Sequence, residues 1–469
     1  MFFNSIEFIL FLPIVVAVYY LLPHKLRWLW LLVASYYFYM SWKAEYALLI
    51  IGSTVVDFYA AQFIDKTEKN NIKKAWLSLS LITNLGLLAV FKYYNFFRGE
   101  LEETLISSGL ENWFPTLSLL LPVGISFYTF QTLSYTLDVY YDRQKPEKHF
   151  GIFALYVSFF PQLVAGPIER FSHLGAQLKQ WQKLHYPNIV SGLRLILYGL
   201  FVKMVVADNL SPYVDQVFKD YETINSSSIA YGMLFYAFQI YADFFGYSTI
   251  AIGAAKLLGI DLMDNFKAPY TAISIGDFWK RWHISLTTWF REYLYLPLGG
   301  NRVNQFRWLI NILIVFIVSG FWHGANWTFI IWGAIHGVVY LIENIFGRIT
   351  GIKAKNLSKP IQIFASLKTF LIVVLAWTFF RAESFEHATH ILQALFSNIS
   401  VETALNQSDY LIYLVVLFFS FDKTLNQKRF DHWLNTQHWT IRWSAYAFLL
   451  FATMALGGVS HQPFIYFQF

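Results

Sequence analysis

The stretch WLINILIVFIVSGFWHGANWTFIIWGAIHGVVYLIE, residues 308–343, decides the fold. Two apolar runs, 308–320 and 325–345, meet at His323, which has Gly320 and Gly324 close on either side. Runs of this kind recur along the chain, and the composition agrees with them. Of 469 residues, 56% are apolar and only 14% charged, with a mean hydropathy of +0.43. Soluble domains carry about 45–50% apolar and about 25% charged residues, so the solvent of this chain is a bilayer. At about 20 residues per span plus connections, there is room for at most roughly 13 spans. Disorder, repeat solenoids and secreted disulfide scaffolds are excluded.

Other apolar runs lie near 6–22, 28–42, 45–63, 75–96, 118–140, 151–165, 188–207, 228–258, 361–380, 408–421 and 443–458. Several are broken by Gly or Pro, as at Pro122–Gly124, Phe160-Pro161 and Gly166-Pro167. Irregular backbone at membrane depth is tolerated only where protein buries it or water reaches it. The expected fold is therefore all-α: a polytopic integral membrane protein of about 11–13 hydrophobic helices, some re-entrant or interfacial, around a central tunnel. It reads as one transmembrane domain, 1–469, with N-terminal helices to 115, a core over 116–345 and C-terminal helices from 346 onward. No soluble domain boundary, heptad or internal repeat stands out.

Cysteine is absent, which removes thiolate nucleophiles, disulfides and Cys-ligated metals. The 35 Lys+Arg against 29 Asp+Glu sit in short loops, where they act as topology signals, and no nucleic-acid partner is implied. The run Ile6–Leu22 lacks a basic flank before it and a cleavage site after it, so it reads as a retained first span. His24-Lys25-Leu26-Arg27 then predicts a cytoplasmic end, with the N-terminus outside. Lys66, Lys69, Lys73, Lys74, Arg143, Lys145 and Lys148 continue inside. Glu100, Glu102, Glu103, Glu111, Asp208, Asp215, Asp220 and Glu222 continue outside.

Intramembrane ionisable groups are costly and mark function by default. His283, His323 and His336 all sit in apolar company. For any one of them the plain alternative is a neutral imidazole bonded to a carbonyl. His323 is the first candidate for a general base, because imidazole titrates near pH 6.5. On a helix, Asn326 and Trp327 would share its face. His336 follows 13 residues later, about 20 Å along a continuous helix and on another face, so the two histidines cannot act on one atom unless the chain bends between them, and it reads as structural or pathway-lining. Residues 277–294 read as one amphipathic helix. Phe278, Trp279, Trp282, Leu286, Trp289, Phe290 and Tyr293 form its apolar face, on which His283 is the anomaly, with Lys280, Arg281, Arg291 and Glu292 opposite. Those cations suit anionic lipid headgroups. Asp243, in an apolar run, needs a hydrogen-bond donor from Tyr, Lys, Arg or His, and either shapes the architecture or orients a histidine. The buried histidines lack a carboxylate at ligand spacing, so no metal is expected.

WKRWHISLTTWFREYLYLPLGGNR (279–302) together with SGFWHGANWTF (319–329) resembles the membrane-bound O-acyltransferase family, and within it the bacterial alginate O-acetyltransferase branch. PVGISFYTFQ (122–131), DVY (138–140), QLVAGPIER (162–170) and DFFGYS (243–248) belong to the same pattern. The resemblance implies an enzyme of the bacterial cytoplasmic membrane that moves an acyl group from cytoplasmic acetyl-CoA to an extracytoplasmic hydroxyl. The acceptor would be a polysaccharide such as alginate, reached directly or through a periplasmic relay protein. Related branches carry D-alanine instead. His323 and His283 map onto the family's two histidines. Around them, Lys280, Arg281, Trp282 and Arg291 would serve donor or tunnel, with Trp322, Asn326 and Gln131, while Asp243 and His336 would be supporting residues. His283, Asn326 or an indole N–H would face the developing oxyanion. A transporter or flippase for a polymer or lipid-linked sugar is the rival reading, since broken helices and aromatic cavities suit both. Transport, however, needs no base at mid-membrane.

Overall fold

A computed structural model describes residues 1–108, 114–164, 166–351, 357–397, 408–425, 427–457 and 463–467. Glu111 of the acidic segment and Ala165 of the QLVAGPIER motif lie outside them. The described residues form helices and no strand. Among the described residues, six helical stretches are long and apolar enough to cross a membrane: Ala44–Lys66, Asn70–Ser107, Tyr186–Asp220, Gln305–His323, Trp327–Thr350 and Lys359–Arg381. The 228–258 run folds as one 32-residue helix, Ser226–Leu257, and others fold as shorter or interrupted helices. Ile6–Leu21 has 16 residues, and the 151–165 run breaks at Phe159 between Phe150–Ser158 and Phe160–Leu163. The 118–140 run becomes helical only from Ile125, after Gly124 adopts φ +74°. π-helical turns widen four places: Ala89–Tyr93, Phe171–Gly175, Val202–Ala207 and Arg291–Tyr295.

Packing divides the chain into two compact units, Met1–His185 with Ala255–Leu262, and Tyr186–Ala254 with Met263–Phe469. In the first unit, helices Ala47–Lys66, Asn70–Leu88 and Ile125–Tyr140 pack together around a buried carboxylate, Asp57. Ser80 donates to it, Asn84 donates at 2.8 Å and Thr136 reaches it at 3.4 Å. The second unit holds the helical hairpin of Gln305–His323 and Trp327–Thr350. Glycine lets its backbones touch: a Cβ on Gly320 would lie 2.2 Å from the Phe329 carbonyl, and one on Gly333 2.3 Å from that of Phe316.

Candidate functional site

All the candidate residues except Gln131 fall in the second unit. Gln131 is buried in the first, where its Nε2 donates to the Tyr156 carbonyl at 2.6 Å, a bond that consumes it structurally.

His323 is the last residue of Gln305–His323. The chain then runs extended through Gly324 and restarts at Trp327, capped by Asn326, whose Oδ1 accepts from the Thr328 N–H at 3.0 Å. The helix ends at the histidine, so Asn326 does not share a helical face with it. The Asn326 amide nitrogen donates to the Glu383 carbonyl, 2.8 Å away. The second helix also folds back, so His336 is not displaced along a continuous axis. Trp332 lies between the two imidazoles, its ring 5.1 Å from each.

The 277–294 segment is likewise no single helix. Ile275–Trp279 and Ile284–Phe290 are separate, and His283 between them is left-handed at φ +44°. A continuous helix would bond the Ile284 and Ser285 N–H groups to the carbonyls of Lys280 and Arg281. Instead Ile284 donates to the Asn265 carbonyl at 3.0 Å and Ser285 to Asn265 Oδ1 at 3.3 Å, while the Arg281 carbonyl accepts from Lys267. Loop 265–267 thus takes over the bonds of one helical turn. A non-glycine residue in this backbone region stores about 1–3 kcal/mol of strain, and burial of the neighbouring rings holds it there.

The result is a line of alternating imidazoles and indoles. His283, Trp322, His323, Trp332 and His336 follow one another with ring centroids 6.2, 4.9, 5.1 and 5.1 Å apart. The histidines are 0%, 2% and 0% exposed. Phe244 meets His283 edge-on at 4.7 Å, and Phe380 lies 5.3 Å from His323. His336 stacks on Phe278 at 6.0 Å and lies 5.2 Å from Trp279; neither of its nitrogens meets a hydrogen-bond partner among the described residues. Trp282 is fully buried between Phe278, Tyr270 and Trp377.

The cations differ among themselves. Arg281 is held by Asp277 at 2.8 Å and by Thr271 Oγ1 at 2.8 Å, whereas Lys280 is exposed and Arg291, beside Glu292, is 64% exposed. A small cleft of about 40 Å³ lies next to this loop, lined by Asn265, Phe266 and Lys267 with Asp422, Lys428 and Arg429. Among the described residues no cluster of three or more His, Asp or Glu side chains has metal-binding geometry.

Sequence reasoning missed two partners. Asp243 pairs with Lys203, 2.5 Å away, a lysine inside the apolar run 188–207 that the same intramembrane logic would have flagged. Tyr466 lies 5.7 Å from the His323 ring, and its only signal was the short aromatic string PFIYF at 463–467.

A helical membrane protein with histidines walled by tryptophan defines a class, and the comparisons agree with it. Residues 149–381 match the model of MBOAT, the membrane-bound O-acyltransferase family. A relative described as "Peptidoglycan O-acetyltransferase" from Helicobacter pylori is 40% identical over 78% of this chain and 73% of its own. "Probable alginate O-acetylase AlgI" from Pseudomonas putida is 36% identical over 99% of both chains, and its Pseudomonas aeruginosa counterpart 37% identical over 90% and 82%. The chain belongs to the membrane-bound O-acyltransferase family and is an integral membrane acyltransferase.

Proposed function

We propose that this protein transfers an acetyl group from acetyl-CoA on the cytoplasmic side to a hydroxyl of an extracytoplasmic polysaccharide, directly or through a periplasmic relay protein. The observation that carries the reading is the placement of His323, buried at the closed end of a rigid hairpin among Trp322, Trp332, Phe380 and Tyr466. A hydroxyl is a weak nucleophile toward a thioester. As its oxygen attacks the carbonyl carbon, His323 takes the hydroxyl proton. The C–S bond then breaks, and the leaving thiolate is neutralised by that proton. Such a base contributes about 10²–10⁴-fold. His283 or a neighbouring indole N–H would stabilise the oxyanion.

The cleft at Lys267, with Lys280 and Arg281 on the adjoining turn, suits the phosphates of the donor. The excess of Lys and Arg in short loops supports the reading that this face meets the cytoplasm and the N-terminus lies outside, in the bacterial cytoplasmic membrane. The test is purified protein in nanodiscs with labelled acetyl-CoA, and separately a D-alanyl thioester, supplied with alginate, peptidoglycan or candidate relay proteins. CoA release that rises with a polysaccharide or relay acceptor and vanishes in His323→Ala is the expected result. Transfer of D-alanine alone, or full activity of His323→Ala, would overturn it.

A further inference from the structure

We propose that Lys203 and Asp243 form a latch that seats segment 463–467 against His323, which makes Asp243 a positioning residue for the site; the inference rests on the reading of His323 as the base. Lys203 lies in the π-helical turn Val202–Ala207, where its helix crosses Ser226–Leu257. The crossing is close because it is glycine on glycine. A Cβ on Gly199 would lie 2.7 Å from the Gly246 carbonyl, and one on Gly246 2.9 Å from the Lys203 nitrogen. At that separation Lys203 Nζ reaches Asp243 Oδ1 at 2.5 Å and Asp208 Oδ1 at 2.7 Å. Lys203 and Asp243 are 1% and 3% exposed.

One ammonium needs one carboxylate, and Asp208 already supplies it. A second buried carboxylate adds a desolvation penalty that the ion pair alone does not explain. Its other oxygen does: Asp243 Oδ2 accepts the Ile465 N–H at 2.6 Å. A hydrogen bond to an ionised acceptor is about twice as strong as a neutral one, so the charge of Asp243 sets how firmly the segment is held. The rings on either side of Ile465 follow. Phe464 packs on Tyr247 at 4.7 Å, and Tyr466 packs on Phe244 at 4.7 Å and on His323. Phe244 is also the ring against His283. Seating the segment therefore fixes one wall of the pocket at both histidines.

Asp243→Asn tests the latch, because asparagine keeps the shape and an acceptor while Lys203 keeps Asp208. We expect kcat to fall about tenfold with the KM for acetyl-CoA within twofold of the parent. Tyr466→Ala should also lower kcat, and the double variant should be no worse than the worse single. Since the chain has no cysteine, Ile465→Cys supplies a sole thiol. It should be protected from maleimide in the parent and react at least tenfold faster in the Asp243→Asn background. Lys203→Met/Asp243→Asn removes both charges together and should label equally fast, which keeps the test in hand if Asp243→Asn inserts poorly. Multiplicative losses in the double variant, or a thiol at 465 as protected as in the parent, would overturn the latch. The labelling arm reads independently of His323: full activity of His323→Ala would sink the catalytic reading and leave the latch to be decided by the thiol.

Discussion

The Asp57 cluster of the first unit and the histidine cluster of the second handle buried polarity in opposite ways. In the first, Asp57 is surrounded by side chains that answer it, with Ser80, Asn84 and Thr136 turned toward one carboxylate and Thr132 bonded to Asn84 in turn. In the second, three imidazoles are surrounded by indole and phenyl rings. A polar group whose bonds are closed inside the chain holds structure. An imidazole walled by aromatic rings meets a visitor with its ring chemistry rather than with a closed set of side-chain acceptors. The contrast says where substitutions should strike stability and where they should strike turnover.

The largest expected effect is His323→Ala, with acetyl transfer lost by at least about 100-fold and an unchanged size-exclusion profile. Retained turnover would make the second unit's histidines as structural as Asp57. Asp57→Ala is the mirror experiment. Leaving Ser80 and Asn84 without their acceptor should cost about 2–3 kcal/mol, read as a lower Tm in detergent, with activity per folded molecule within twofold. A large loss of kcat there would erase the contrast. Smaller is the effect at the exposed cations: Lys280→Ala with Arg291→Ala should raise the KM for acetyl-CoA several-fold at constant kcat, and an unchanged KM would assign them to lipid headgroups. His336→Phe should leave activity within about threefold and raise stability by about 1 kcal/mol, since two buried nitrogens that meet no partner among the described residues disappear. A drop in Tm would show that His336 is bonded as the first unit's groups are.

The smallest effect concerns His173, half-exposed in the first unit. Its hydrogen bond to Glu169, at 2.6 Å, raises its pKa above 6.5. The stability gained is complete below pH 6.5 and fades as pH rises through the elevated value. His173→Gln should flatten that dependence in melts taken from pH 6 to 9.

The apolar runs were legible because hydrocarbon demands about 20 residues per span and tolerates few charges. The histidines were legible for the same reason. What the sequence could not carry was substitution of local bonds by distant ones. Lys280 to Ser285 has helical periodicity, yet Asn265 and Lys267, on another loop, take its hydrogen bonds and break it. The hairpin at His323 was half legible: its flanking glycines suited a break, but the use of Asn326 Oδ1 as a helix cap depended on where the helix stopped. Tyr466 was hidden because its neighbour in space is remote in the chain.

The left-handed backbone of His283 has a practical corollary. Glycine is the residue at home in that conformation, so His283→Gly would release the backbone strain. The same exchange empties a fully buried ring position against Phe244 and Trp322, and a void of that size costs more than the strain it relieves. Ruggedness and turnover should therefore fall together at this single codon, and a library sorted by melting alone would keep the histidine.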